Sequence, residues 1–283
     1  MSHHLHTDLP PLTLSFMGAN YVAKELGYGA ADEWMPFDVA TNAAFEPLET
    51  YALRFEQVLE GIVAAGFEAL DLWTAHLNWR WATPEHVQIA RELLDRHGLR
   101  VVSLAGNFGD TPQELESACV LARAVDVDLL GGMGAVLRAD GPAAESVLRE
   151  HGVRFAYENH PERSPAEVLT LIGDADDVLG AAVDTGWWAT QGYDPVQAIR
   201  DLRERLFHVH LKDVEEPGAH VTCMFGAGCA EIAACVDELL GSGYLGSLSI
   251  EHEPFDRDPI PECIGMRELI EAQLAAAGVS DRG

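Results

Sequence analysis

The sequence predicts a single (β/α)8 TIM barrel, an α/β fold in which eight parallel strands alternate with helices and close into a ring. Two observations indicate this fold: eight short apolar or β-branched runs recur along the 283 residues, and amphipathic segments separate them. An open, doubly wound sheet is the competing arrangement, but it needs fewer strands. No linker rich in proline, glycine or serine divides the chain, so we predict one domain over residues 11–283, after a disordered polar N-terminus over residues 1–10.

The predicted strands are short runs of apolar and β-branched residues that recur along the whole chain. They span Leu12–Met17, Phe67–Trp73, Arg100–Ala105, Asp128–Met133, Val153–Glu158, Val178–Asp184, Leu206–Lys212 and Ser247–Glu251. Six amphipathic segments between or after them are predicted to be helices, most with Pro, Asp, Ser or Thr near the start. These span Pro84–His97, Thr111–Val125, Pro165–Gly173, Asp194–Arg205, Glu231–Leu240 and Pro259–Ala277.

The connection after the first strand departs from this regular spacing. Segment Ala19–Tyr51 is long and rich in aromatic residues, and we predict a loop there. Long connections at the carboxyl ends of barrel strands are often lids or walls of a site.

Charge and composition exclude several classes of partner. The chain has 18 Lys and Arg against 46 Asp and Glu, a formal charge of −28, which argues against nucleic acid and anionic membranes as partners. It has no run of 18 or more apolar residues and no apolar signal segment at its start, so we expect a cytoplasmic protein. The five cysteines contain no C-x-x-C pair and are expected to be reduced thiols.

Four consecutive predicted strands end in residues that can bind a metal. These residues are Glu158, Asp184, His210 and Glu251, each after an apolar run. The carboxyl ends of barrel strands meet at one mouth, where three carboxylates repel one another unless a cation or protons compensate them. Carboxylates with one imidazole suit Mn²⁺, Mg²⁺ or Co²⁺, and Zn²⁺ is also compatible. We therefore predict one divalent metal ion; the alternative is a set of acids that only cap strand ends.

Four segments resemble the xylose isomerase-like barrels, which are also described as sugar phosphate isomerases/epimerases. The segments are YENHP at Tyr157–Pro161, VDTGWW at Val183–Trp188, HVHLKD at His208–Asp213, and Gly226–Pro254, which begins GAGCAEI and ends GYLGSLSIEHEP. The resemblance covers most of the chain from the second strand onward. It implies that the four strand-end residues hold one metal ion, usually Mn²⁺. It also implies that Glu158 and Glu251 exchange a proton with the substrate carbon next to a carbonyl.

One position departs from the family's pattern. Many members carry a histidine that touches the substrate three residues after the strand-six aspartate, where this chain has Trp187. We therefore expect a substrate or binding pose that differs from those of the best-known epimerases. The missing histidine and the charge of −28 also weigh against the related apurinic endonucleases, which need further histidines for three metal ions.

The lysine content indicates an unphosphorylated substrate. Lys212, one of only two lysines, shares the inward parity of His210 and is predicted either to hold a substrate oxygen or to balance the acids. No Lys or Arg lies between Lys212 and Arg257, although these loops often bind phosphate in barrels. The turn at residues 226–228 could offer backbone N–H groups to an anion, but an ordinary tight turn is the favoured interpretation.

Aromatic residues and histidines supply further candidates for substrate contact. All six tryptophans fall where loops follow strands, and Trp34 and Trp187 are predicted to form a wall against the sugar. The alternative is a hydrophobic cluster or a subunit interface. His76 and His160 are predicted in loops at the same end of the barrel, where each could contact substrate or serve a structural role. His208 is predicted to face inward one layer below the metal ligands.

These features predict a metal-dependent isomerase or epimerase of a small keto-sugar or cyclitol. One of Glu158 and Glu251 would remove the proton next to the carbonyl and the other would return it, through an enediolate that the metal stabilises. The alternative enzyme is a lyase that expels a group β to the carbonyl, such as the inosose dehydratases that the resemblance admits. A non-catalytic sugar-binding barrel is a third interpretation. Barrels of this kind often form dimers or tetramers, so a homo-oligomer is compatible with the sequence.

Overall fold

The computed structural model describes residues 12–279, in which eight parallel strands close into the predicted barrel. The barrel strands are β1 (Leu14–Met17), β2 (Ala69–Trp73), β3 (Arg100–Asn107), β4 (Leu129–Met133), β5 (Arg154–Glu158), β6 (Leu179–Asp184), β7 (Leu206–Leu211) and β10 (Leu248–Ile250). A two-stranded antiparallel hairpin, β8 (Asp213–Glu216) and β9 (Ala219–Cys223), follows β7. Strands β1 and β10 pair and close the ring. The tail predicted over residues 1–10 lies outside the described residues.

Helices cover the outside of the barrel between successive strands. They are α1 (Trp34–Phe45), α2 (Leu48–Ala64), α3 (Pro84–His97), α4 (Pro112–Ala124), α5 (Val136–Ala139), α6 (Gly141–His151), α7 (Pro165–Ile172), α8 (Thr185–Thr190), α9 (Pro195–Leu202), α10 (Ile232–Ser242) and α11 (Ile260–Ala276). Short 3₁₀ turns occur at Gly18–Tyr21 and Arg203–Arg205. All six predicted helices are present. Within the part of the chain that the structure describes, no helix is long and apolar enough to span a bilayer.

Two of the predicted helices, α3 and α4, begin at threonine side chains that cap their first turn. Thr83 accepts a hydrogen bond from the N–H of His86, and Thr111 accepts one from the N–H of Glu114. A proline follows each threonine at the first helical position, where its missing N–H costs no hydrogen bond. At the other end of α3, Gly98 adopts a left-handed conformation with φ +66° that terminates the helix.

The connection predicted as a loop after β1 contains a helix. Segment Ala19–Tyr51 includes a 3₁₀ turn, all of α1 and the beginning of α2. Helix α1 has no side-chain cap at its N-terminus, which explains why the sequence gives no start signal there. It packs on the barrel mouth through Phe37, whose ring centroid lies 5.0 Å from that of Phe255.

A polar layer lies inside the barrel beneath its mouth. The Asp71 carboxylate of β2 accepts hydrogen bonds from Ser15, Ser103 and Ser249, and its Oδ1 lies 2.6 Å from Nε2 of His208. All five side chains are fully buried. Burial alone would raise the pKa of Asp71, but His208, His210 and the Ser103 hydroxyl lower it to about 2. The layer is therefore a satisfied hydrogen-bonded network beneath the residues of the mouth.

Candidate metal centre and active site

Four side chains at the carboxyl ends of neighbouring strands converge at the barrel mouth. They are Glu158 of β5, Asp184 of β6, His210 of β7 and Glu251 directly after β10, and we call them the strand-end cluster. One ligand atom of each lies within 4.8 Å of those of the other three, and all four residues are buried. The structure thus brings together the four residues that the sequence predicts as metal ligands.

Strand pairing and local hydrogen bonds orient this cluster. Parallel register places Asp184 beside His210. The Asn159 amide donates to the carbonyl of Asp184 and accepts from its N–H, which ties the ends of β5 and β6 together. Asp184 also caps helix α8, because its Oδ1 accepts a hydrogen bond from the N–H of Trp187 at 2.9 Å. Its other oxygen, Oδ2, is left to face the cluster.

The donor atoms fit a divalent cation. Among the described residues, three polar atoms of the cluster are buried without a hydrogen-bond partner: Oδ2 of Asp184, Oε2 of Glu251 and Nε2 of His210. Buried polar atoms without a partner are costly and rare, so three of them in one cluster indicate a site for a cation. Three carboxylates with one imidazole form a donor set that suits Mn²⁺ and related ions. The residues present therefore fit a metal ion.

The electrostatics of the cluster also favour a cation. Burial and the nearby carboxylates of Glu251 and Glu158 raise the pKa of Asp184 well above its usual range. Burial has the same tendency at Glu251, but the Lys212 ammonium and His210 outweigh it and lower that pKa. A further positive charge would allow all three carboxylates to stay ionised at neutral pH.

A second group of potential metal ligands shares His210 with this cluster, but the carboxylate oxygens of its Asp71 are already hydrogen-bonded. Asp71 and His208 have ligand atoms within 4.8 Å of one another and of His210. Each oxygen of Asp71 already has two hydrogen-bond partners in the buried layer. The ring of His208 packs edge-on against His210 with centroids 4.8 Å apart, one layer below, as the sequence predicts.

Lys212 joins the cluster to a carboxylate that the sequence analysis missed. Its buried Nζ lies 2.8 Å from Oε1 of Glu251 and 2.7 Å from Oε2 of Glu253. The other oxygen of Glu253 accepts a hydrogen bond from Nε1 of Trp34 at 3.2 Å. The backbone of Gly186 allows the lysine stem to pass, because a Cβ there would lie 2.8 Å from Cγ of Lys212. Glu253 could have been found from its alternation with Glu251.

A cavity of about 1010 Å³ opens above the strand-end cluster. Its lining includes His160, Trp187, His220, Trp34 and Glu253. Four of the five predicted substrate-contact residues therefore face the cavity: Lys212, Trp187, His160 and Trp34. His220 comes from β9 of the hairpin, which contains no long apolar run and was not predicted as an element.

Two of the predicted contact residues have neighbours that the sequence did not indicate. The Trp187 ring stacks on that of His220, with centroids 3.8 Å apart and planes 19° apart, so His220 covers one of its faces. His76 is fully buried, with its ring 4.7 Å from that of Phe45 and 5.2 Å from that of Trp73. The structure does not include His76 among the residues that line the cavity.

The glycine-rich turn after the hairpin is occupied by the protein itself. The N–H groups of Gly226 and Gly228 donate to Oδ2 of Asp213, and the N–H of Ala230 donates to Oδ1. These donors hold the turn against the barrel and are not directed at a ligand. The favoured interpretation of the sequence, an ordinary tight turn, matches this arrangement.

Comparison with known proteins identifies the family and several relatives. The model of the xylose isomerase-like TIM barrel family matches residues 59–264. A 3-dehydroshikimate dehydratase of Pseudomonas putida is 28% identical over 227 residues, which cover 68% of this chain and 35% of that protein. An inosose dehydratase of Lacticaseibacillus casei is 21% identical over 280 residues, covering 78% of this chain and 90% of that protein.

A solved structure shares the fold at low sequence identity. A D-tagatose 3-epimerase-like protein superposes with a TM-score of 0.67 and 15% identity, over 94% of this chain and 98% of that chain. The present chain spans about a third of the length of the Pseudomonas dehydratase. The family model matches most of the chain, and the eight strands form a closed barrel. This protein therefore belongs to the xylose isomerase-like TIM barrel family.

Proposed function

We propose that this protein is a divalent-metal-dependent enzyme that removes the proton next to the ketone of an uncharged cyclitol or keto-sugar. The observation that carries the proposal is the strand-end cluster, in which Asp184 and Glu251 each keep a buried carboxylate oxygen without a hydrogen-bond partner. Two of its members, Glu158 and Glu251, line a cavity large enough for a sugar-sized ligand. Mn²⁺ is the ion we propose for it, with Co²⁺, Mg²⁺ and Zn²⁺ as the alternatives.

The protein's own groups can move the proton. When bound, the divalent ion supplies Lewis acidity that lowers the pKa of the C–H bond next to the carbonyl. Glu158 and Glu251 both lie close to His210, with oxygens 2.7 Å and 3.1 Å from its Nδ1, so either carboxylate can act as the base. Lys212 provides positive charge beside Glu251, where negative charge develops on the substrate oxygens.

We propose dehydration as the outcome of that proton removal. The C–H electrons form a C=C bond, the hydroxyl β to the ketone leaves, and it takes up a proton to become water. The names of both curated relatives, a 3-dehydroshikimate dehydratase and an inosose dehydratase, support this outcome.

Epimerisation is the second candidate, and one feature of the site favours it. Two carboxylates, Glu158 and Glu251, belong to the strand-end cluster, so one could remove the proton and the other return it to the opposite face. The likeness in fold to a D-tagatose 3-epimerase-like protein is compatible with this candidate.

The charge of the cavity supports an uncharged substrate. Its lining includes seven carboxylates but only two cations, Lys212 and Arg80. Lys212 is already paired with Glu251 and Glu253, and Arg80 lies over the ring of Trp79 at 4.0 Å near the rim. A carboxylate-bearing ketone such as 3-dehydroshikimate would add another negative charge to a lining that already holds seven carboxylates, so an inosose is the better match.

Solvent exchange and mass separate these outcomes. The Mn²⁺-loaded protein is incubated in D₂O with an inosose and, separately, with 3-dehydroshikimate. We expect deuterium uptake next to the ketone of the inosose, loss of water, and a new conjugated absorbance. Deuterium uptake without loss of mass as water would indicate epimerisation. A lack of both deuterium uptake and loss of water with any keto-sugar, inosose or dehydroshikimate would overturn the proposal and leave a binding barrel.

A further inference from the structure

The hairpin of β8 and β9 brings an imidazole into the cavity from outside the barrel. His220 and Thr222 of β9 both line the cavity, as do Trp34 and Glu253. Residues 220 and 222 point the same way because side chains alternate along a strand. His220 therefore belongs to the cavity lining although no barrel strand carries it.

Two contacts fix the ring of His220. Its Nδ1 lies 2.8 Å from Oγ1 of Thr190, at the end of α8. Its face stacks on Trp187 with ring centroids 3.8 Å apart. Among residues 12–279, the structure gives Nε2 no hydrogen-bond partner, so this is the one polar atom of the ring left for a ligand.

The charge state of His220 suits a neutral ligand. Burial, together with the Lys212 ammonium, lowers its pKa to about 2, so the imidazole is neutral across the working pH range. The hydroxyl of Thr190 can either donate to Nδ1 or accept from it, which leaves Nε2 as a donor or an acceptor respectively. A substrate hydroxyl can pair with either form, whereas a carboxylate pairs only with the donor form.

We propose that His220 is a substrate-binding residue whose Nε2 hydrogen-bonds a hydroxyl of the polyol away from the reacting ketone. The inference rests on the proposed function, because it takes a polyhydroxylated ketone as the ligand. Trp187 serves here as the support for the imidazole as well as part of the cavity wall. His220 is thus a determinant of which hydroxyl pattern the enzyme accepts.

Monodeoxy analogues test this role through binding. Calorimetry measures the affinity of the Mn²⁺-loaded protein for an inosose and for its monodeoxy analogues. For wild type we expect one analogue to bind about 3- to 10-fold more weakly than the parent, the value of one hydrogen bond between neutral groups. His220→Phe keeps the aromatic stack on Trp187 and should bind the parent and that analogue equally. The control, His151→Phe on the outer face, should keep the wild-type preference.

A measurement on wild type alone protects the test against a misfolded variant. In histidine-labelled protein, the ¹⁵N resonance of Nε2 of His220 should shift on addition of the inosose and shift less with the critical deoxy analogue. Full discrimination retained by a folded His220→Phe protein, or an unmoved Nε2 resonance on saturation, would overturn the inference. His220-dependent binding without deuterium exchange would overturn the proposed function alone, and no inosose binding by wild type would overturn both.

Discussion

Glu251 is the single residue on which the proposed proton transfer depends most. It belongs to the strand-end cluster and lies 2.8 Å from Lys212. We predict that Glu251→Gln lowers turnover by about 10²–10⁴-fold, since an amide cannot accept the proton. Steady-state rates with an inosose measure this loss, and circular dichroism checks the fold. Glu204→Gln, at a residue with an 84% exposed side chain, is the matched control. An active Glu251→Gln enzyme would contradict the scheme.

His76 is predicted from the sequence as a candidate substrate contact, but its burial indicates a structural role. It is fully buried, its Nδ1 has no hydrogen-bond partner among the described residues, and burial lowers its pKa to about 3. In the unfolded chain, His76 takes up a proton as the pH falls through 6.5, whereas in the folded state it stays neutral until about pH 3. Stability attributable to this group is therefore intact above pH 6.5 and is lost as the pH falls.

This linkage gives a prediction for pH. Between pH 6.5 and pH 5, His76 should reduce the free energy of unfolding by about 2 kcal/mol, at about 1.4 kcal/mol per pH unit. His76→Phe should lack this component, which urea unfolding at several pH values measures. His151→Gln at the surface serves as control. If the free energies of unfolding of wild type and His76→Phe changed in parallel with pH, His76 would take up a proton as readily in the folded state as in the unfolded chain, which would contradict the prediction.

At the scale of elements, helix α1 forms part of the cavity lining. Phe37 is fully buried against Phe255, and Trp34 donates to Glu253, so a core contact and a polar contact both fix the helix. We predict that Phe37→Ala weakens α1 by about 3–5 kcal/mol and raises KM more than it lowers kcat. Hydrogen exchange at α1 amides measures the loosening. Leu53→Ala, on an exposed position of α2, should leave α1 protected.

The elements also differ in how well the sequence predicts them. Helices α3 and α4 begin with Thr-Pro, and a threonine cap next to proline is a local signal. Helix α1 lacks such a cap, and its position depends on contacts with residues more than 200 positions away, such as Phe255. The hairpin of β8 and β9 also lacks a local signal, because its strands contain no long apolar run. Its position depends on packing against α8.

At the scale of the whole molecule, the formal charge of −28 opposes folding through self-repulsion. We predict that raising NaCl from 10 mM to 200 mM, at constant metal, raises Tm by about 2–4 °C, equivalent to roughly 1 kcal/mol of screened repulsion. Thermal scans at several ionic strengths measure the shift. A Tm that is constant or falls with salt would mean that the carboxylates are already compensated within the fold.

The barrel and its cluster were predictable for the same reason. Strand periodicity gives the closed ring, and the ring brings together whatever residues end its strands, as with Asp184 and His210. The buried layer around Asp71 was not predictable, because its serines come from three strands and carry no pattern of their own. His220 was missed because its position depends on stacking against Trp187 rather than on strand order.

Metal content per chain tests the central claim most directly. Elemental analysis of the purified protein, with Glu158→Ala beside it, should find about one Mn, Co, Mg or Zn ion per wild-type chain and a loss of that ion in the variant. Added metal at 100 times its dissociation constant should stabilise wild type by about 2.7 kcal/mol and leave Glu158→Ala unchanged. A metal-free protein whose Tm responds to none of these ions would contradict the account and make the strand-end cluster a structural feature.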